Sequence, residues 1–269
     1  MGKKFSEFEA FFFDSDGVLR MLGTPIDGAR ETVRFLRAEG KKVCVVSNNA
    51  TRNRKVFAEL LKELGFDFSE NEIVTSAYAT ARYLKENQPG KKVLLFLNDN
   101  VKEEFLAEGV ELVDYEHWED AEIVVAGLNR EITYDKLKWA MSAIMNGAKF
   151  IATNTDPILN AGPKKWIPGA GSIVSALSTA TGKKPEIIVG KPNPLIMKMA
   201  LEQMEVSAKD TAMFGDRLDT DVEAANAAGV YSVVVLTGDT PQDIQPKDLP
   251  EKIRPKSTIF SLKDVSARW

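Results

Sequence analysis

Apolar residues occur along this chain in short runs, and each run ends in polar residues or glycine. Phe11-Phe12-Phe13 is an unbroken run of the length of a strand buried on both faces, and Asp14-Ser15-Asp16-Gly17 follows at once. From about Gly28 to Glu39, Val33, Phe35 and Leu36 mark a helix that Gly40 stops. Lys42–Val46 reads as a second strand and ends in Ser47-Asn48-Asn49; a helix from about Arg54 to Leu64 then stops at Gly65. Ile73-Val74 and a helical Ser76–Leu84 stretch extend this β-α-β-α alternation, the pattern of a parallel sheet with right-handed crossovers.

The pattern breaks at Asn87-Gln88-Pro89-Gly90. Strand Val93–Leu97, helix Val101–Glu108, strand Ile123–Gly127, helix Tyr134–Asn146 and strand Phe150–Thr153 then predict a second α/β unit with its own sheet. An irregular stretch, Asn154–Gly169, precedes helix Ser172–Thr181. Strand Glu186–Val189 ends in Gly190-Lys191-Pro192, helix Pro194–Met204 follows, and strand Thr211–Phe214 ends in Gly215-Asp216. Helix Asp219–Ala228, strand Tyr231–Leu236, a surface segment over Thr240–Lys256 and a short strand at Ser257–Phe260 complete the chain.

Composition narrows the classes. A chain of 269 residues can bury a proper core. A net charge of −4 with 28% charged residues leaves no basic excess for nucleic acid or an anionic membrane surface. No apolar run approaches the ~20 residues of a membrane span, and Lys3-Lys4 is not followed by the apolar stretch of a signal peptide. The single cysteine, Cys44, excludes an intrachain disulfide and suits a reducing compartment. The expected location is the cytoplasm.

Four predicted strand ends carry chemistry: Asp14-Ser15-Asp16, Ser47-Asn48-Asn49, Lys191 and Asp216. In a parallel sheet all carboxyl ends lie on one edge, so residues far apart in sequence would meet in one crevice. Three carboxylates suit a hard cation such as magnesium. A lysine and a hydroxyl beside it suit phosphoryl oxygens. A carboxylate can attack phosphorus and form an aspartyl-phosphate. A second carboxylate two residues on can protonate the leaving alkoxide and later deprotonate the attacking water. Taken singly, each residue has a plainer reading. Asp-Gly is a common turn pair, Lys191 suits a surface loop, and Asp216 or Asn49 suits a helix cap. Cys44 reads as core, and His117 lies far from every motif.

Together, Asp14-Ser15-Asp16-Gly17-Val18-Leu19, Ser47-Asn48-Asn49, Gly190-Lys191-Pro192 and Gly215-Asp216-Arg217-Leu218-Asp219-Thr220-Asp221 resemble, in order, the four motifs of the haloacid dehalogenase superfamily. The resemblance implies Asp14 as nucleophile and Asp16 as acid and base. It implies magnesium held by Asp14, the Asp16 backbone carbonyl and Asp216, with Asp219 and Asp221 beside the metal. Ser47, Asn48 and Lys191 would hold the phosphoryl group.

Only 33 positions separate Asp14 from Ser47, whereas 144 separate Ser47 from Lys191, and the second α/β unit fills that gap. This spacing, with Phe150-Ile151-Ala152-Thr153-Asn154, Asp156 and Pro168-Gly169-Ala170-Gly171, resembles the 4-nitrophenylphosphatase, NagD-like and phosphoglycolate phosphatase branch. The implied fold is α/β: a Rossmann-like, doubly wound parallel core from residues 1–80 and 186–269, with an α/β cap inserted over 81–185. The implied activity is magnesium-dependent hydrolysis of small phosphomonoesters, including aryl phosphates, phosphoglycolate, sugar phosphates and nucleotides. The branch also implies a homodimer through the cap. It further implies that Asn154, Asp156, Lys164, Lys165 and Trp166 contact the leaving group.

The sequence departs from the branch at Arg20-Met21-Leu22, where an aromatic residue, a basic residue and glycine are usual, and at Thr155, where proline is common. Arg20 and Met21 fall near the mouth of the expected site. The rival readings are a phospho-receiver domain, a non-catalytic phosphate-binding protein and a phosphomutase of the same superfamily. The long insertion disfavours the receiver, and the full set of charged motif residues disfavours the binding protein.

Overall fold

The computed structural model describes residues 3–162 and 164–269. In chain order its strands are β1 (Ala10–Phe13), β2 (Arg20–Met21), β3 (Thr24–Pro25), β4 (Lys42–Ser47), β5 (Ile73–Thr75), β6 (Lys92–Phe96) and β7 (Glu111–Val113). β8 (Ile123–Ala126), β9 (Lys149–Ala152), β10 (Ile158–Asn160), β11 (Trp166–Pro168) and β12 (Ile187–Ile188) follow, then β13 (Thr211–Gly215), β14 (Tyr231–Val235) and β15 (Ser257–Ile259). The chain forms two compact units. One comprises the segment up to Ser47, Lys55–Val74 and Lys191–Trp269; the other comprises Asn48–Arg54 and Thr75–Gly190.

The first unit is built on a six-stranded sheet in the order β15-β14-β13-β1-β4-β5. β1 is central because all four of its residues are apolar and buried, which only a strand covered on both faces can satisfy. Its register pairs Phe13 with Val45 of β4 and with Phe214 of β13, both parallel. Phe11 and Phe13 pack on one face with Val43, Val45, Phe214, Val233 and Val235. The Phe13 and Phe214 rings stack at 5.4 Å. Each buried phenylalanine contributes roughly 1.5–3 kcal/mol, so the run that fixes β1 also anchors the polar residues that follow it. Helix Ala29–Ala38 covers this face through buried Ala29, Val33 and Leu36, the i, i+4, i+7 spacing of a helical stripe. Gly40, at φ +70°, ends it.

The second unit has a five-stranded parallel sheet in the order β12-β9-β8-β6-β7. Leu94, Phe96, Val124, Phe150, Val174 and Leu177 form its core. Thr75 and Thr133 cap two of its helices, accepting from the Tyr78 and Lys136 amides.

The structure differs from the sequence reading at several elements. The strand expected at Glu186–Val189 is two residues long and pairs Ile187 and Ile188 with Ile151 and Ala152 of β9, so it belongs to the second sheet. The second compact unit accordingly includes it, running from Thr75 to Gly190. The stretch Asn154–Gly169, expected to be irregular, contains an antiparallel hairpin of β10 and β11. β7, which the sequence reading lacks, is a three-residue edge strand with no buried side chain. Among the described residues, no helix is long and apolar enough to cross a membrane.

Candidate active site

Two adjacent strands, β1 and β13, deliver the first acids. Asp14 is the first residue beyond β1, and its amide still donates to the Phe214 carbonyl at 2.8 Å. Asp216 is the first residue beyond β13. Asp221 arrives by a different route, a π-helical turn over Leu218–Val222 that folds back on the strand end. That close return requires Gly215, where a Cβ would lie 2.1 Å from the Asp221 Cβ. Asp14, Asp216 and Asp221 each offer an oxygen to a common point, with those atoms all within 4.8 Å of one another.

Lys191 ties the group together. Its side chain is 2% exposed, and its Nζ donates to Asp14 Oδ1 at 2.6 Å, Asp221 Oδ1 at 2.6 Å and the Val46 carbonyl at 2.9 Å. Those three acceptors match the three protons of an ammonium. Burial alone would push the lysine down, but Asp14 and Asp221 outweigh it and hold it well above its usual range. The other Asp221 oxygen accepts from the Arg217 amide at 3.1 Å. The Lys191 result also corrects the expectation of four strand ends on one sheet. The strand before Lys191 belongs to the second sheet, and the lysine itself counts with the first unit.

Asp216 is held by backbone. Its Oδ2 accepts from the Asp239 amide at 2.8 Å, and its carbonyl accepts from the Thr240 amide and hydroxyl. Gly17 and Gly238 line its carboxylate so closely that a Cβ on either would come within 2.3 Å and 2.0 Å of Oδ2. Thr237 joins these two walls, donating its hydroxyl to the Gly17 carbonyl at 2.6 Å.

The charge balance of this cluster is unfinished. Three carboxylates and one ammonium sum to −3 + 1 = −2 when all are ionised. Burial, partly offset by Lys191 and reinforced by Asp221, pushes Asp14 up to about 7. Burial, with Asp221 and Asp14 beside it, pushes Asp216 up to about 8. No cation pairs with Asp216 among the described residues. A divalent cation fits this donor set in charge and in oxygen chemistry.

A pH prediction follows with a definite sign. Both carboxyls have an ordinary value of 3.8 and are raised in the folded protein. Without metal, the native state therefore holds extra protons, and stability falls as pH rises from about 4 to about 8. A divalent cation held by these carboxylates would have to displace those protons. The gain in Tm on adding saturating magnesium to metal-stripped protein is expected to be clearly larger at pH 8 than at pH 5. An equal gain at both pH values would remove this cluster as the metal site.

The remaining sequence-predicted residues separate into groups. The Asp16 side chain is 66% exposed and accepts from Arg20. Ser47, 5% exposed, ends β4. Asn48 counts with the second unit, where its Nδ2 donates to Asp156 Oδ2 at 2.8 Å. Asn154 Nδ2 donates to the same oxygen at 2.6 Å, and both Asn154 and Asp156 are buried. Asp156 thus holds the Asn48 amide, and Asn154 in turn holds Asp156. Asn49 Oδ1 accepts from the Thr51 and Arg52 amides and closes a turn before helix Arg54–Glu63. Lys164, Lys165 and Trp166 lie at the exposed end of the β10–β11 hairpin, with Trp166 65% exposed. Asp219 is 68% exposed and pairs with Arg217, apart from the buried cluster that holds Asp221. Cys44 is fully buried within β4, and His117 is exposed.

Comparison with known proteins follows the same lines. Residues 11–111 match the family described as haloacid dehalogenase-like hydrolase, and residues 188–265 match one described as HAD-hydrolase-like. An acid sugar phosphatase of Staphylococcus aureus is 36% identical over 263 residues, 97% of this chain and 96% of that protein. The chain belongs to the haloacid dehalogenase-like hydrolases. A solved p-nitrophenyl phosphatase from Archaeoglobus fulgidus shares 38% identity with this hydrolase at a TM-score of 0.87, covering 97% of this chain and 99% of that one.

A glycerol phosphate phosphatase from Mycobacterium tuberculosis, solved with magnesium, is 33% identical with a TM-score of 0.88, covering 98% of this chain and 79% of that one. The same protein has been solved with calcium. These likenesses, with NagD of Escherichia coli also matched, make this hydrolase a NagD-like phosphatase of the family. They set aside the phospho-receiver reading.

Sequence reasoning missed two sets of residues here. Gly17 and Gly238 shape the Asp216 site without a functional group. Arg20 stood out in the sequence only as a departure from the branch.

Proposed function

We propose that this phosphatase hydrolyses small phosphomonoesters of sugar, polyol and aryl alcohols, with magnesium, through an aspartyl-phosphate on Asp14. The observation that carries the reading is the contact of Lys191 Nζ with both Asp14 Oδ1 and Asp221 Oδ1 at 2.6 Å. A buried ammonium there keeps Asp14 in reach of its ionised, nucleophilic form and offers positive charge where phosphoryl oxygens gather. Asp14 attacks phosphorus as the ester P–O bond breaks. Asp16 gives its proton to the departing oxygen and then takes one from the water that opens the aspartyl-phosphate. Ser47 and Asn48 are assigned to the phosphoryl group, with Asp156 fixing the Asn48 amide. Bound to Asp14, Asp216 and the Asp16 carbonyl, magnesium would supply neutralising charge to the phosphoryl oxygens.

Selection among alcohols is assigned to Lys164, Lys165 and Trp166, a basic and aromatic group at an exposed hairpin end. The test is a panel of phosphomonoesters assayed with magnesium and ranked by kcat/KM. A triple alanine change at these three positions is expected to reorder the panel, because discrimination is differential transition-state binding. A uniform fall on every substrate would leave the hairpin without a role in selection. No hydrolysis of any small ester would end the proposal.

A further inference from the structure

Asp16 sits on a loop that the backbone closes tightly. The Leu19 and Arg20 amides both donate to the Ser15 carbonyl at 3.0 Å, and the Gly17 amide donates to the Arg20 carbonyl at 2.8 Å. The backbone of Asp16 is therefore fixed, but its carboxylate projects with 66% of the side chain exposed. Among the described residues, one side chain holds that carboxylate. Arg20 Nη2 donates to Asp16 Oδ2 at 3.0 Å, while Arg20 Nε donates to Ser15 Oγ at 3.0 Å. Ser15 is fully buried. The guanidinium lies 5.9 Å from the Phe57 ring centroid, and the Arg20 side chain is only 13% exposed. A rigid fork anchored in the core thus reaches out to one oxygen of an otherwise loose acid. Asp16 Oδ1 makes no hydrogen bond among the described residues, so the oxygen that Arg20 leaves open is the one able to exchange a proton.

We infer that Arg20 is a positioning residue: it holds the Asp16 carboxyl where it can protonate the departing oxygen, and so extends the enzyme's reach to esters of poorly leaving alcohols. The inference rests on the acid role given to Asp16 above. In the step concerned, the Asp14 oxygen forms its bond to phosphorus and the ester P–O bond breaks. The electron pair of that bond goes to the alcohol oxygen, and the proton on Asp16 passes to the same oxygen. An alkyl alkoxide needs that proton, whereas 4-nitrophenolate leaves as a stable anion. General-acid assistance is worth on the order of 10²–10⁴ in rate when the acid is placed correctly, and small misplacements remove much of it.

The experiment compares kcat/KM on glycerol phosphate and on 4-nitrophenyl phosphate for the wild type, Arg20→Met, Arg20→Lys and Asp16→Asn. Arg20→Met is expected to lose at least roughly tenfold more on glycerol phosphate than on 4-nitrophenyl phosphate. Arg20→Lys keeps the charge but lacks the fork, and should fall between Arg20→Met and the wild type. The Asp16 end of the pair is exposed, so the ion pair itself adds little to stability, and both variants should fold. If Arg20→Met does not fold, the comparison of Arg20→Lys with the wild type decides. Equal losses on the two esters, or none, while Asp16→Asn shows the difference, would overturn the role of Arg20. If Asp16→Asn itself shows no difference between the esters, the acid role of Asp16 fails and the inference falls with it.

Discussion

Asp14→Asn is expected to abolish turnover while leaving the fold intact. The loss should be on the order of 10⁴-fold or more in kcat, the scale seen when a covalent nucleophile is removed. The substitution is nearly isosteric, and the amide oxygen can still accept from Lys191 in place of Asp14 Oδ1. It also removes one of three crowded carboxylates, so the metal-free variant should unfold at a temperature close to that of the wild type at pH 8. Single-turnover assays with radiolabelled ester would add a direct check, since the variant should trap no phosphate on the protein. Turnover within tenfold of the wild type would reject Asp14 as nucleophile.

Lys191→Met should harm both stability and catalysis. Lys191 and Asp221 are each 2% exposed, and Asp14 is 13% exposed. Removing one partner of a buried ion pair leaves uncompensated charge, at roughly 3–5 kcal/mol. The two orphaned carboxylates can escape that penalty only by taking up protons. Destabilisation measured by urea unfolding should therefore shrink as pH falls from 8 to 5, which separates it from a simple packing defect. In catalysis, the Lys191 ammonium is directed at Asp14, Asp221 and the Val46 carbonyl, none of them assigned to the alcohol. Its loss is expected to lower kcat/KM by a similar factor across the whole substrate panel. A variant that keeps wild-type stability and loses activity on only some esters would contradict both halves of this account.

Much of the fold was legible because buried parallel strands announce themselves as unbroken apolar runs. Phe11-Phe12-Phe13 and Thr211–Phe214 were both legible as strands, and the structure places them side by side. What the pattern could not carry was partnership. Ile187-Ile188 looks the same whether it pairs with a core strand or, as it does, with Ile151-Ala152. The hairpin of Ile158–Asn160 and Trp166–Pro168 escaped notice because each strand is only three residues long and neither has a buried side chain.

In the site, the acids were visible by type but not by rank. Asp219 and Asp221 are two residues apart in one motif, and spacing cannot say which turns inward. The π turn decides, carrying Asp221 into the cluster with Lys191 and leaving Asp219 to Arg217 on the surface. Arg20 was legible only as an oddity, since its partners Ser15 and Asp16 become apparent once the loop between them is closed.

The walls around Asp216 bear on how this enzyme can change over time. Positions 17 and 238 carry no reactive group, yet adding a single methyl at either drives an atom into the Asp216 carboxylate. An exposed side chain such as Trp166, 65% exposed, can be exchanged without meeting a neighbour in this way. The two glycines admit no such exchange, because every other amino acid is larger. A lineage of this enzyme can therefore vary widely over its exposed surface while its path through sequence space stays closed at two positions with no side chain to vary.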